Sequence, residues 1–246
     1  LFKRTDRELM VYDGAFNFGR ELPEARRVLI LAAHPDDETL GCGGAIALHK
    51  KGGAEIRSLV MTDGSAVRYD GEGDIKEIRR KESFDAGRIL GIDEVNFLDI
   101  PDMALGRNID RAVSVVFPFV DDYRPDLVYA PSPLDFHPDH RATFRIAMEI
   151  LKRGIRAALY EIYAPVRFNL LIDITEVMPL KERAISAYAS SLLNQPFHFM
   201  RTIKGLNSYR GFLTEAAHGE RFYEAFLLMD RRPHRRRLIK WLTYDL

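Results

Sequence analysis

Short apolar runs alternate with amphipathic segments along this chain. Residues 27–33 (RVLILAA) are continuously apolar, as in a strand buried on both faces of a parallel sheet. The run breaks into HPDDETLGCGGAIALHKKGG, where Thr39 is placed to cap a helix whose apolar face carries Leu40, Ile46, Ala47 and the stem of Lys50, with Gly52 and Gly53 ending it. A second strand is predicted over 54–62, followed by a Gly- and Asp-rich loop over 63–74. A helix over 75–90 stops at Gly91, and a third strand follows at 95–100. The next pair is an amphipathic segment over 109–123 and a strand over 126–130, which runs into PSPLDFHPDHRAT and a further helix to Lys152. This repeated βα order predicts an α/β, Rossmann-like fold, with a mostly parallel sheet and helices on both faces.

Beyond Gly154 the pattern changes. Two strand-like runs, 158–163 and 169–174, and a helix over 175–193 predict extra C-terminal strands and helices at an added sheet edge. Residues 194–219 mix turn formers with Phe197, Phe199, Tyr209 and Phe212, and read as a long loop over the active site or at an oligomer contact. Residues 1–26 form an irregular lead. No internal repeat divides the chain, and 246 residues at 46% hydrophobic fit a single domain over 1–246.

Charge removes some classes of partner. Lysine plus arginine and aspartate plus glutamate each total 36, so no global field points to nucleic acid or a membrane surface. The basic run RRPHRRRLIKW reads as a solvated terminal helix. No apolar run approaches the length of a membrane span. The single cysteine, Cys42, rules out an intramolecular disulfide and fits a reducing compartment. The expectation is a soluble, cytoplasmic protein; a homo-oligomer is plausible, although no self-complementary surface is legible.

Two His-Pro-Asp clusters carry the candidate chemistry. His34-Pro35-Asp36-Asp37-Glu38 and His137-Pro138-Asp139-His140 each directly follow a predicted strand, and functional groups of open α/β sheets gather at strand ends. Two imidazoles and a carboxylate converging from separate loops make a three-ligand metal site with an open position, the arrangement of catalytic zinc. Two adjacent aspartates divide the work of ligand and proton acceptor. Imidazole and carboxylate ligands also suit iron, cobalt or manganese. His49, His198, His218 and His234 have no partners in pattern and read as ordinary polar residues. Residues 41–44 (GCGG) lack the spacing of a phosphate-binding loop and read as a site of close helix packing.

The motifs AHPDDE and HPDH resemble those of the LmbE-like (PIG-L) family of zinc N-deacetylases. The resemblance continues through GGAIALHKKGGAEIRSLVMTDG, IRRKESFDAGRILG and DLVYAPSPLDFHPDHRAT, and fades to AYASSL and EAF in the C-terminal third. It implies one zinc ion per chain, held by His34, Asp37 and His140, with Asp36 as general base. His137 would assist as acid or oxyanion stabiliser, oriented by a hydrogen bond from Asp139. Arg79 aligns with a substrate-binding arginine, with Arg80 one residue out of register. Some members place a tyrosine two residues before the first HPDH histidine; this chain has Asp135 there. The implied substrate is a small N-acetylglucosamine-type sugar or conjugate, and a related amide conjugate is the alternative. A Rossmann-type nucleotide-binding enzyme would need a glycine fingerprint that is absent.

Overall fold

The computed structural model describes residues 18–67, 69–193, 198–214 and 220–229. The expected terminal helix over the basic run, residues 1–17 of the lead and parts of 194–219 lie outside them. Seven strands form one sheet, β1 (Arg27–Ala32), β2 (Glu55–Thr62), β3 (Glu94–Ile100), β4 (Leu127–Pro131), β5 (Arg156–Tyr160), β6 (Leu170–Asp173) and β7 (Tyr223–Met229). Their order is β3-β2-β1-β4-β5-β7-β6. Strands β1 to β5 pair in parallel, while β7 runs antiparallel to both β5 and β6.

Strand β1 shows why the sheet is covered twice. Val28 and Ile30 belong to one apolar cluster, Leu29 and Leu31 to the other, and all four are fully buried. Alternate side chains of a strand point to opposite faces, so each face needs its own cover. Each such aliphatic side chain contributes about 1.5–3 kcal/mol by leaving water. One face is covered by α1 (Asp37–Lys51), α2 (Ile75–Leu90) and α5 (Met178–Ser186); the other by α3 (Ile109–Tyr123) and α4 (Pro138–Lys152). Two further helices follow, α6 (Ala189–Leu193) and α7 (His198–Phe212).

The C-terminal part differs from the sequence reading in two ways, and a further strand, β7, lies between β5 and β6. The helix expected over 175–193 is two helices, α5 and α6. Much of the expected loop is the helix α7.

Helix α1 also departs from expectation. It begins at Asp37 with Asp36 in the cap position, so Thr39 lies inside it, and it kinks at Cys42. The glycines there answer to close packing: a Cβ on Gly41 would lie 2.2 Å from Tyr160, and one on Gly44 2.4 Å from Ile174. The kink frees backbone donors, and Glu224 of β7 accepts from Gly44 N and Ala45 N, both at 2.8 Å. The anion at this half-helix terminus is therefore the protein's own carboxylate, which leaves no phosphate site at the glycines.

Candidate metal centre and active site

Strand order reverses between β1 and β4, which pair with each other while their connections lead to opposite sides. Crevices at such switch points are where open α/β sheets bind ligands. The loops after β1 and β4 are the two His-Pro-Asp clusters, so topology alone brings them together.

The cluster centres on three atoms. His34 Nδ1 lies 3.2 Å from His140 Nε2 and 3.4 Å from Asp37 Oδ2, and His140 Nε2 lies 3.3 Å from Asp37 Oδ2. Metal–ligand bonds of about 2.0–2.1 Å at tetrahedral angles set donor atoms about 3.3–3.4 Å apart. The three sides of this triangle fit a tetrahedral ion. Asp37 is further fixed by the His34 N–H, which donates to its Oδ2 at 2.8 Å.

Each imidazole of the triangle also has a carboxylate behind its second nitrogen. Asp135 Oδ2 lies 2.9 Å from His140 Nδ1, while Asp102 Oδ1 and Asp139 Oδ2 lie 3.2 and 3.5 Å from His34 Nε2. A carboxylate on the outer nitrogen fixes tautomer and ring direction in metal-binding histidines. Two looser groupings share His34: with His137 and His140, and with Asp102 and Asp139, each with its donor atoms within 4.8 Å of one another. The tight triangle is the better set, because the second grouping uses the nitrogen that faces away from it.

The charges follow from this crowding. Burial works against a charge on His140, but Asp37 and Asp135 outweigh it and its pKa stands at about 9. Burial lowers His34 too, and Asp102, Asp139 and Asp37 together raise it well above the usual imidazole value. Asp37 is held well below the usual carboxylate range, since the neighbouring imidazoles overcome its burial.

Asp36 has a different setting. Its backbone φ is 121°, a conformation rare outside glycine and costing about 1–3 kcal/mol, and strain of this kind clusters at functional sites. Arg79 holds it from α2: NH2 donates to the Asp36 carboxylate at 2.8 Å and to the Pro35 carbonyl, and NH1 donates to Gly64 O at 3.1 Å. Ser191 Oγ of α6 donates to the same carboxylate oxygen at 3.1 Å. Burial pushes the Asp36 carboxyl up to about 6 against the pull of Arg79. Arg80 is paired with Asp99 and lies over the Phe97 ring, away from this carboxylate.

His137 caps α4, its Nδ1 accepting from Asp139 N at 3.3 Å. Nitrogen accepting at Nδ1 leaves the neutral ring protonated at Nε2. Burial and the charges on His34 and His140 lower its pKa, which favours that neutral form. The hydrogen bond from Asp139 to His137 comes from the backbone N–H, while the carboxylate points elsewhere. That carboxylate accepts from Met103 N at 2.7 Å and Leu105 N at 3.0 Å and faces His34; only the Asp139 backbone reaches His137.

A cleft of about 420 Å³ opens over these groups, lined among others by His34, Asp36, Arg79, Asp102, His137 and Tyr163. One buried cleft donor, Arg79 Nε, has no hydrogen-bond partner. A larger cavity of about 570 Å³ lies at the N-terminal ends of β1, β4 and β5, away from the cluster. Sequence reasoning missed Asp102, Tyr163 and Ser191, and noted Asp135 only as a departure from a motif. For Asp135 a signal existed, since it stands five residues before His140 on the loop entering α4.

The fold is an α/β sheet with an imidazole–carboxylate cluster at its switch point. A family model described as PIG-L, GlcNAc-PI de-N-acetylase, matches residues 29–151, about half of the chain, and the chain belongs to this family. It is 28% identical over 202 residues to the diacetylchitobiose deacetylase of Thermococcus kodakarensis, covering 71% of this chain and 73% of that protein. It is 31% identical over 156 residues to the 1D-myo-inositol 2-acetamido-2-deoxy-alpha-D-glucopyranoside deacetylase of a Mycobacterium species (strain KMS), covering 52% of this chain and 51% of that relative, about half its length. The structure of N,N'-diacetylchitobiose deacetylase from Pyrococcus horikoshii superposes with a TM-score of 0.74 at 25% identity, over 100% of this chain and 97% of the other. No helix among the described residues is long and apolar enough to cross a membrane.

Proposed function

We propose that the chain is a zinc-dependent hydrolase that removes the N-acetyl group from an N-acetylglucosamine-type sugar or sugar conjugate. The observation that carries the reading is the triangle of His34 Nδ1, Asp37 Oδ2 and His140 Nε2, with sides of 3.2–3.4 Å. These three residues would hold the ion. When bound, it supplies positive charge that polarises the amide carbonyl and makes a nearby water more acidic.

The remaining steps belong to the chain. Asp36, outside the triangle and pushed up to about 6, takes the proton of the attacking water. His137, neutral with its proton on Nε2, donates a hydrogen bond to the carbonyl oxygen as negative charge develops there. Asp36 then returns its proton to the departing amine, and acetate and the free amine result. Arg79 Nε, a buried donor without a partner, fits a sugar hydroxyl, which accepts as well as donates. The named relatives, acting on acetamido sugars, support the same substrate class.

The test is metal content together with acetate release from N-acetylglucosamine glycosides, for wild type and His140→Ala. Wild type is expected to carry about one zinc and release acetate, and the variant to do neither. Wild type that carries no zinc, or that carries zinc and cleaves no acetamido sugar, overturns the reading.

A further inference from the structure

Two motifs of the sequence, IRRKESFDAGRILG and AYASSL, enter the proposed mechanism only at Arg79, yet they meet in the structure. Arg79, Glu82 and Ser83 stand at i, i+3 and i+4 of α2, so one face of that helix carries three polar side chains, all of them buried. Glu82 spends both carboxylate oxygens on one residue of α6: Ser190 N donates to Oε1 at 2.8 Å and Ser190 Oγ to Oε2 at 2.6 Å. Just before α6, Tyr188 Oη donates to Glu38 Oε1 and stands 3.4 Å from Ser83 Oγ. Ser191 follows Ser190 directly and donates to Asp36 Oδ2 at 3.1 Å. A helix of five residues is too short to hold its place by its own backbone bonds, so the groups that bind α6 set its position. A buried carboxylate is tolerated only when its oxygens are satisfied, which makes the paired bonds from Ser190 to Glu82 strong and directional.

We propose that Glu82 is a positioning residue for the reaction: it seats α6 so that Ser191 holds the Asp36 carboxylate in the orientation the attacking water needs. The proposal rests on Asp36 as the base of the deacetylase reading. Arg79 NH2 and Ser191 Oγ both bond Asp36 at Oδ2, one from each side of the contact between α2 and α6, which leaves Oδ1 for the water. Glu82 itself is not among the residues that line the cleft, so it acts on the chemistry only through Ser190 and Ser191. A base turned away from its water slows the chemical step and leaves substrate binding as it was, so the effect falls on kcat and not on KM.

The experiment measures kcat and KM for acetate release from methyl N-acetylglucosaminide, per bound zinc, in wild type, Glu82→Ala, Glu82→Gln, Ser191→Ala and the Glu82→Ala/Ser191→Ala double variant. Crystal structures of the two Glu82 variants accompany it. Ser191→Ala and Glu82→Ala are each expected to lower kcat about tenfold with KM within about twofold, the size of one lost hydrogen bond to a charged group. The double variant is expected to be no worse than Ser191→Ala alone, because losses along one chain of contacts do not add. Glu82→Gln keeps both bonds, its amide NH2 donating to Ser190 Oγ, and stays within about threefold of wild type. In the crystals the bond from Ser191 to Asp36 is absent in Glu82→Ala and present in Glu82→Gln. An unchanged kcat per zinc in Glu82→Ala overturns the proposal, as do losses that multiply in the double variant or an intact Ser191–Asp36 bond in the Glu82→Ala crystal. If Glu82→Ala does not fold, Ser190→Ala, which removes the hydroxyl side of the same pair, replaces it in every comparison. Wild type that releases no acetate strikes the deacetylase reading, and the crystals then decide the seating of Ser191 by themselves.

Discussion

Arg79 reaches from α2 to the Asp36 carboxylate at 2.8 Å while its other bonds fall on Pro35 and Gly64, so one guanidinium ties the loops after β1 and β2 together around the candidate base. It is buried and pinned by the protein itself, which makes it first a positioning group for Asp36 and only through its free Nε a contact for substrate. The two roles separate by pH. Without the guanidinium, burial and Asp37 push the Asp36 carboxyl above its present value of about 6, opposed only by the weaker pulls of His34 and Ser191. A base works only when deprotonated, so the acid limb of the kcat/KM profile in Arg79→Met moves to higher pH. Activity at neutral pH falls about tenfold for each unit of that movement and recovers in alkali. An unmoved profile with a raised KM assigns Arg79 to substrate alone.

The carboxylate behind His140 gives a second prediction. Asp135 Oδ2 lies 2.9 Å from His140 Nδ1 and is almost fully buried. Removing such a partner weakens metal binding by about 10- to 100-fold. Asp135→Ala is expected to lose zinc to a competing chelator at correspondingly lower chelator concentration, with Asp135→Asn between it and wild type. Unchanged affinity in both variants would mean that His140 does not use Nε2 as a ligand.

His49 sets a pH dependence of stability at the far end of the sheet. It is buried with Nε2 2.9 Å from Tyr129 Oη, and burial, with a smaller push from Arg156, lowers its pKa to about 4. The unfolded chain binds this proton below about pH 6.5, the folded chain only below about 4. Between those values the unfolded state holds more protons, so stability falls as the pH drops, by roughly 3 kcal/mol in all, and the loss levels off below the folded pKa. Urea unfolding at pH 7 and pH 4 is expected to show this difference for wild type and a smaller one for His49→Gln. Equal slopes in the two proteins would assign the acid sensitivity to other groups.

Periodicity made the first half of the fold legible because each element there has a single job. Strands β1 and β4 are apolar runs covered on both faces, and α2 and α3 between them are amphipathic. Helix α7 escaped notice because its inward positions are Ile203, Asn207 and Arg210, which have helical spacing but are two-thirds polar, with Gly205 and Gly211 suggesting turns. Strand β7 was hidden by Glu224 within an otherwise apolar run. In the site, the two motif loops were legible because ligand chemistry and strand ends coincide. Asp102 and Ser191 were not, because they reach the cluster from loops and a short helix whose approach depends on tertiary packing. The difference between Asp139 acting on His137 and on His34 is likewise one of side-chain direction, which spacing does not encode.

The residue that concealed β7 also holds the last prediction. Glu224 and Lys181 Nζ lie 2.7 Å apart and are both essentially fully buried, with Asn207 Oδ1 3.1 Å from the same ammonium. The carboxylate also satisfies Gly44 and Ala45 at the kink of α1, the helix that begins with Asp37. Lys181→Met leaves a buried carboxylate without its counter-ion and is expected to cost about 3–5 kcal/mol, the usual result of breaking a buried pair from one side. Glu224→Gln keeps an oxygen for one of the two backbone donors but strands the lysine. In the double variant no buried charge remains, so its loss is expected to be smaller than the sum of the two single losses. A double-mutant cycle by urea unfolding reads the coupling directly. Additive losses would mean that each group is neutralised independently of the other, and that Glu224 serves the helix break alone.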